Sequence, residues 1–257
     1  MQSAPANGTL LVPVANPENV DRLLDTAIDL AQAESWAIRV LHVVEVPAQL
    51  PLDAGDEVVS DETEDLLRYV DHHVSKAGLD LETSLRYARD TAAGILSAVE
   101  EHGVTAILIG WRGRPRRRDI VLGSFLDHIL RDAECDVYVK RISRPSESPA
   151  AILVPVAGGP HDELATDVAG ALADQYDATV TLLHVVSEEA ESISREAAEQ
   201  LLEARKERLP SSLAVELTVM GATTESTMGR RLVGSVAQTV GRNTEGSVIV
   251  TRKYLDA

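Results

Sequence analysis

The hydrophobic positions change period repeatedly along the chain. Thr9–Val14, TLLVPV, is a short apolar run bounded by turn residues, the pattern of a buried strand. From Val20 the spacing becomes helical. Val20, Leu23, Leu24, Ala27, Ile28 and Ala31 recur on one face, with Asp21, Asp25 and Asp29 between them. Ile38–Val44, IRVLHVV, is a second strand. Residues 45–60 read as a loop with proline and acid, Asp61–Lys76 as a helix stopped by Gly78, and Leu81–Ala88 as an alternating strand. Asp90–His102 returns to helical spacing and stops at Gly103. Ala106–Gly110, Ser124–Asp132 and Asp136–Lys140 follow as strand, helix and strand. Strands alternating with helices predict βαβ units and a parallel sheet.

After a Pro/Ser linker at 142–149, ISRPSESP, the pattern repeats. Residues 10–44 shifted by 142 fall on 152–186 without a gap, with 13 of 35 positions identical. LVPVA recurs at 11–15 and 153–157, and LHVV at 41–44 and 183–186. Gly110 and Gly123-Ser124 fall on Gly221 and Gly234-Ser235 at a shift of 111, as Val137 and Val139 fall on Val248 and Val250. The second copy has therefore lost 31 residues between 186 and 221 (142 less 111). One helix near Ile193–Leu209 and one strand near Leu213–Met220 fit that interval, so one βα unit is missing. Two homologous domains are expected, 9–141 and 150–254, the second abridged.

Between the fourth strand and fourth helix of the first copy lies GWRGRPRRRDIVLGS, residues 110–124. Its spacing is G-x2-G-x9-G-S, on Gly110, Gly113, Gly123 and Ser124. Strand, glycine loop and helix start follow in the order an anion site needs. Helix-start N–H groups are unpaired and carry the positive end of the helix dipole. Glycine lets backbone approach a phosphate closely. Arg112, Arg114, Arg116, Arg117 and Arg118 fall within seven positions. The plainer readings are a solvated surface turn, with Ser124 as a helix cap and Asp127 its capping-box partner. The arginine run could instead dock an anionic partner, but strong salt screens exposed contacts and favours a preorganised phosphate site. Trp111 either covers a ligand or packs.

Charge sharpens the contrast. The 257 residues carry 24 Lys and Arg against 41 Asp and Glu, a net charge of −17. Only Lys76, Lys140, Lys206 and Lys253 are lysines. High acid content with few lysines suits a salty cytosol, as in a halophilic archaeon, and argues against general nucleic-acid binding. The single cysteine, Cys135, excludes an internal disulfide and fits a small core or turn residue. No apolar run reaches a membrane-spanning length, and a cytoplasmic location is expected. Asp61, Glu62, Glu64 and Asp65 read as solvated first-turn residues. His42 and His184 are equivalent and read as hydrogen-bonded at strand ends. His72-His73 read as exposed.

The doubled strand–helix–strand beginning VPV, the strand ending LHVV and the G-x2-G-x9-G-S loop together resemble the universal stress protein (UspA) family, over both halves. The resemblance implies two tandem Rossmann-like α/β domains, each on a parallel sheet of order 3-2-1-4-5, with an adenine nucleotide at the strand ends. It places phosphates and ribose on Gly110, Gly113, Gly123 and Ser124, with Val43 beside the adenine and Ile109 lining the pocket. Arg112 and Phe125 complete the candidate set. AMP, ADP or ATP, with or without Mg²⁺, is the implied ligand. Nucleotide-binding members carry Asp after strand one; here Ala15 stands there, followed by Asn16. The second copy has Ala157 at that position and Thr224 where Gly113 would fall, so it is expected to be a structural partner. Its Gly229, Arg230 and Arg231 retain a weaker anion possibility.

Family members commonly pair through the last strand. The tandem is therefore expected to form an internal pseudo-dimer through Asp136–Lys140 and Ser247–Thr251, with a homodimer left open. No metal site and no enzyme are expected. Asp119 is the only acid in the loop, and no general base is identifiable beside it. The alternative function is a regulatory interaction module without nucleotide. The abridged tandem also resembles cytosolic tails of archaeal amino-acid transporters, which makes a membrane transporter a candidate partner.

Overall fold

A computed structural model describes residues 6–15, 20–79, 81–111, 124–142, 148–184, 195–206, 209, 217–221 and 247–255. The first copy comprises β1 (Thr9–Pro13), α1 (Val20–Glu34), β2 (Ala37–Glu45), a 3-10 turn (Leu52–Val58), α2 (Asp61–Ser75) and β3 (Leu81–Ala88). It continues through α3 (Thr91–His102), β4 (Ala106–Trp111), α4 (Ser124–Asp132) and β5 (Asp136–Arg141). Its strands lie in the order β3-β2-β1-β4-β5, and the pairs β1–β2, β1–β4 and β2–β3 are parallel. The second copy comprises β6 (Ala151–Pro155), α5 (Pro160–Tyr176), β7 (Thr179–Leu183), α6 (Arg195–Lys206), β8 (Leu217–Gly221) and β9 (Ser247–Arg252). Its order is β9-β8-β6-β7. By packing, the chain divides into two compact units, with breaks inside β4, between Gly110 and Trp111, and inside β5, between Val137 and Tyr138.

The repeat read from the sequence is reproduced in the ladders. Thr9 pairs with Ala37 and Ala151 with Thr179, each partner shifted by 142. Leu10 pairs with Ala106 and Ile152 with Leu217, shifts of 142 and 111. β8 therefore occupies the place of β4. Among the described residues nothing corresponds to β3, as the missing βα unit requires. α6 and β8 lie within a few residues of their expected ranges, the normal uncertainty of element ends.

Burial explains why these segments fold as they do. Leu10, Leu11, Val12, Ile107 and Leu108 are wholly buried, as both faces of a parallel sheet require. Each large apolar side chain so buried contributes about 1.5–3 kcal/mol relative to exposure. α1 buries Val20, Leu23, Leu24, Ala27, Leu30 and Ala31, while Ile28 stays half-exposed. Ser60 caps α2 by accepting from the Thr63 N–H at 3.3 Å, and Asp90 caps α3 by accepting from Ala93 N–H at 2.9 Å. α3 ends at Gly103, whose φ of 55° is the left-handed cap glycine favours. Asp61, Glu62, Glu64 and Asp65 are exposed or nearly so, and Asp65 pairs with Arg68 at 2.7 Å. The edge strand β3 is blunted by charge: Arg39 meets Glu82 at 2.6 Å, and Arg86 meets Glu101. Cys135 is a core residue.

Candidate functional site

In the first copy the chain runs outward from β1 to β2 and β3, then returns to lay β4 on the opposite side of β1. The order reverses between β1 and β4, and a doubly wound sheet offers its ligand crevice outside the strand ends at that point. β1 ends toward Val14 and Ala15, β4 ends in Gly110 and Trp111, and the next described residue after Trp111 is Ser124.

Five of the eight candidate residues are described. Ile109 is buried in β4, and Gly110 is half-buried beyond it. Ser124 is the exposed first residue of α4, and Phe125 is half-buried behind it. The helix is assigned from Ser124, which agrees with the cap position to within the usual latitude of element ends. The Ser124 N–H is then one of the four at a helix start with no intrahelical acceptor. Val43 lies in β2 and packs on α3: a β-carbon built on Gly94 would stand 2.8 Å from Val43 Cγ1. Arg112, Gly113 and Gly123 lie outside the described residues. So do Asn16, the arginines at 114 and 116–118, Asp119, Thr224 and Gly229–Arg231.

The paired histidines hold the strand ends together. His42 Nδ1 donates to the Val14 carbonyl at 2.9 Å, and His184 Nδ1 to the Val156 carbonyl at 2.6 Å. A carbonyl only accepts, so Nδ1 carries the hydrogen in both. The main chain adds a second tie at the same place: Val14 N–H donates to Leu41 and Val156 N–H to Leu183. At the same, C-terminal end of β2, Glu45 accepts from the Thr91 N–H at 3.1 Å and from its hydroxyl at 2.5 Å. His72 is exposed as expected. His73 is half-buried, its Nε2 3.2 Å from Asp25 in α1, beside Tyr69. The Tyr69 hydroxyl donates to Asp21, which holds the phenol above its ordinary ionisation range. Among the described residues no group of His, Cys, Asp and Glu is placed to hold a metal.

The second copy contains an arrangement the sequence reading missed. Asp162, in the first turn of α5, is 3% exposed, and its Oδ2 accepts from the N–H of Ala157 at 2.8 Å and from that of Gly158. Arg205 of α6, 8% exposed, donates from Nη2 to Asp162 Oδ1 at 3.0 Å, to Glu163 at 3.0 Å and to the Gly159 carbonyl at 3.4 Å. His161 is tied to the end of β9: its carbonyl accepts from the Thr251 hydroxyl at 3.0 Å and its Nδ1 from Lys253 N–H at 3.0 Å. A signal existed. Asp162 falls on Val20 at the shift of 142, a carboxylate where the first copy buries a hydrocarbon.

Among the described residues no helix is long and apolar enough to cross a membrane. A curated relative, the Na(+)/H(+) antiporter NhaS5 of Synechocystis sp., is 28% identical over 179 residues, 69% of this chain and 26% of its own length. The chain thus spans about a quarter of that relative. A universal stress protein from Archaeoglobus fulgidus superposes with a TM-score of 0.69 at 19% identity, covering 98% of each chain. A putative universal stress protein from Pseudomonas aeruginosa gives 0.62 at 18% identity, over 94% of this chain and 92% of that one. Both support the fold alone. The model of the Universal stress protein family matches residues 7–141 and 150–214, the first copy and the first part of the second, and the chain belongs to that family.

Proposed function

We propose that the chain is a regulatory protein that binds an adenine nucleotide, AMP, ADP or ATP with or without Mg²⁺, at the β1–β4 switch point of residues 9–141. The observation that carries this reading is the reversal of strand order between β1 and β4, with Gly110 near the end of β4 and Ser124 opening α4. The N–H groups of that helix start suit a phosphate. The loop between supplies Gly113, Gly123 and a concentrated positive charge within a chain of −17. Val43 and Ile109 take the base side and Phe125 the helix side. No catalytic step is assigned. Residues 150–254 serve as the structural partner, in a pseudo-dimer through Asp136–Lys140 and Ser247–Thr251, in a salty cytoplasm. Nucleic acid is not a partner.

Calorimetric titration of AMP, ADP and ATP in molar KCl, into wild type and Gly113→Asp, tests the reading. Micromolar binding lost in the variant supports it. Binding unchanged by the variant puts the ligand elsewhere. No binding to wild type favours a second reading, an interaction module that regulates a membrane transporter. That reading draws on the antiporter relative, of whose length this chain covers 26%, and on Ala15 replacing the family's Asp.

A further inference from the structure

We propose that the strand-end loop of the second copy is an anion seat permanently filled by the chain's own Asp162. The seat consists of the Ala157 and Gly158 N–H groups, the positive start of α5 and the Arg205 guanidinium. These are the components that hold a free carboxylate or phosphate at a helix start. Here Oδ2 takes the two backbone donors and Oδ1 takes Arg205. The occupant is therefore a carboxylate gripped on both oxygens, in a site it seals from water.

Three features separate this from an ordinary helix cap. A side chain at the third helical position ordinarily reaches back to the cap residue's own N–H. Asp162 reaches past Gly159, the cap residue, to the two residues before it. Gly158 and Gly159, at φ 96° and 117°, take the positive-φ backbone that glycine favours, in the turn between those N–H groups and the start of α5. Arg205 arrives from α6, across the interval where this copy has lost its βα unit, and its Nε is buried without an acceptor among the described residues. A buried cation was thus brought to the loop. Its charge is matched by Asp162 and by the half-exposed Glu163. The equivalent of Asp162 in the first copy is Val20, so the matching position there carries no carboxylate. The two copies differ in occupancy: one seat is closed from within, and any anion the chain takes up goes to the other. This holds whether or not that anion is a nucleotide.

The test replaces the tethered carboxylate with a free one. Asp162→Ala removes the atoms of one formate. Its melting temperature is measured in potassium formate against potassium chloride at matched ionic strength, beside wild type and Asp162→Ala/Arg205→Met. The proposal expects formate to raise the melting temperature of the single variant only. Equal shifts in all three proteins would overturn it. In wild type, hydrogen exchange at Ala157 and Gly158 is expected to be slow, at least about tenfold slower than in an open loop, as one net hydrogen bond implies. It should not change on adding ATP. Fast exchange there, or exchange that ATP slows, would overturn the proposal even if Asp162→Ala does not fold.

Discussion

Gly94 sits inside α3, where glycine is ordinarily a defect. Replacing a mid-helix glycine with alanine stabilises by about 1 kcal/mol through backbone entropy and helix propensity. Here the opposite is expected. A β-carbon at this position would stand 2.8 Å from Val43 Cγ1 and 3.0 Å from the Ala88 β-carbon. Relaxed carbon contacts lie at about 3.5–4.0 Å, so α3 must retreat by roughly 0.5–1 Å or Val43 must turn. Val43 is β-branched and stiff about χ1, and the Ala88 β-carbon is fixed to the strand backbone, so neither yields readily. Overpacking of one methyl costs about 1–3 kcal/mol. Set against the gain, Gly94→Ala should lose about 1 kcal/mol, or about 2–4 °C in melting temperature for a chain of this size. Urea and thermal melts measure it. The Val43→Ala/Gly94→Ala pair should recover part of the loss, with a coupling of about 1 kcal/mol in the double-mutant cycle. A Gly94→Ala variant that melts at or above wild type would refute the close seating of α3 on β2. It would also remove the physical reason for Val43 to hold a fixed position at the proposed base side.

His42→Leu and His184→Leu should each cost about 1–2 kcal/mol in urea melts, because each leaves a strand-end carbonyl without its donor. Unchanged stability with lost ligand binding in His42→Leu would move that residue from the framework to the site. Tyr69→Phe should cost under about 1 kcal/mol, since the pair with Asp21 is exposed. Its ionisation carries a sign: the raised phenol pKa means the hydrogen bond's contribution is fully present below the unfolded value, about 10. It is lost as pH rises through the higher folded value. Phenolate absorbance in an alkaline titration should lose a late-ionising component in Tyr69→Phe; a profile that loses only an ordinary tyrosine would contradict the contact.

The fold was legible because its signals are local and repeated. LVPVA and LHVV gave the strands, helical spacing gave the connections, and two shifts gave the duplication and the lost βα unit down to the pairing register. The reversal of strand order between β1 and β4 was legible for the same reason. What stayed hidden depends on distance in space. His73 reads as one of two surface histidines until α1 brings Asp25 to it. Gly94 reads as a weak helix position until Val43 occupies the space a side chain would need. Arg205 lies on a polar helix whose charges all look solvated, and only the folded loop shows one of them buried against Asp162.

The duplication also separates framework from ligand chemistry within one molecule. The second copy has Thr224 in place of a loop glycine, yet it keeps His184 on Val156 as the first keeps His42 on Val14. A contact retained where the glycine loop has decayed is explained by the sheet alone, since joining two strand ends needs no ligand. Divergence at matched positions carries the opposite weight. Val20 and Asp162 occupy the same step of the same helix, one in hydrocarbon and one gripping backbone N–H groups against a buried arginine. No requirement of the shared fold demands that change, because the first copy folds without it. Burying a charged pair costs less the more of its hydrogen bonds are made, and both Asp162 oxygens make theirs, on the Ala157 and Gly158 N–H groups and on Arg205. The divergence is therefore placed at a strand end, where the second copy buries an ion pair and the first buries hydrocarbon.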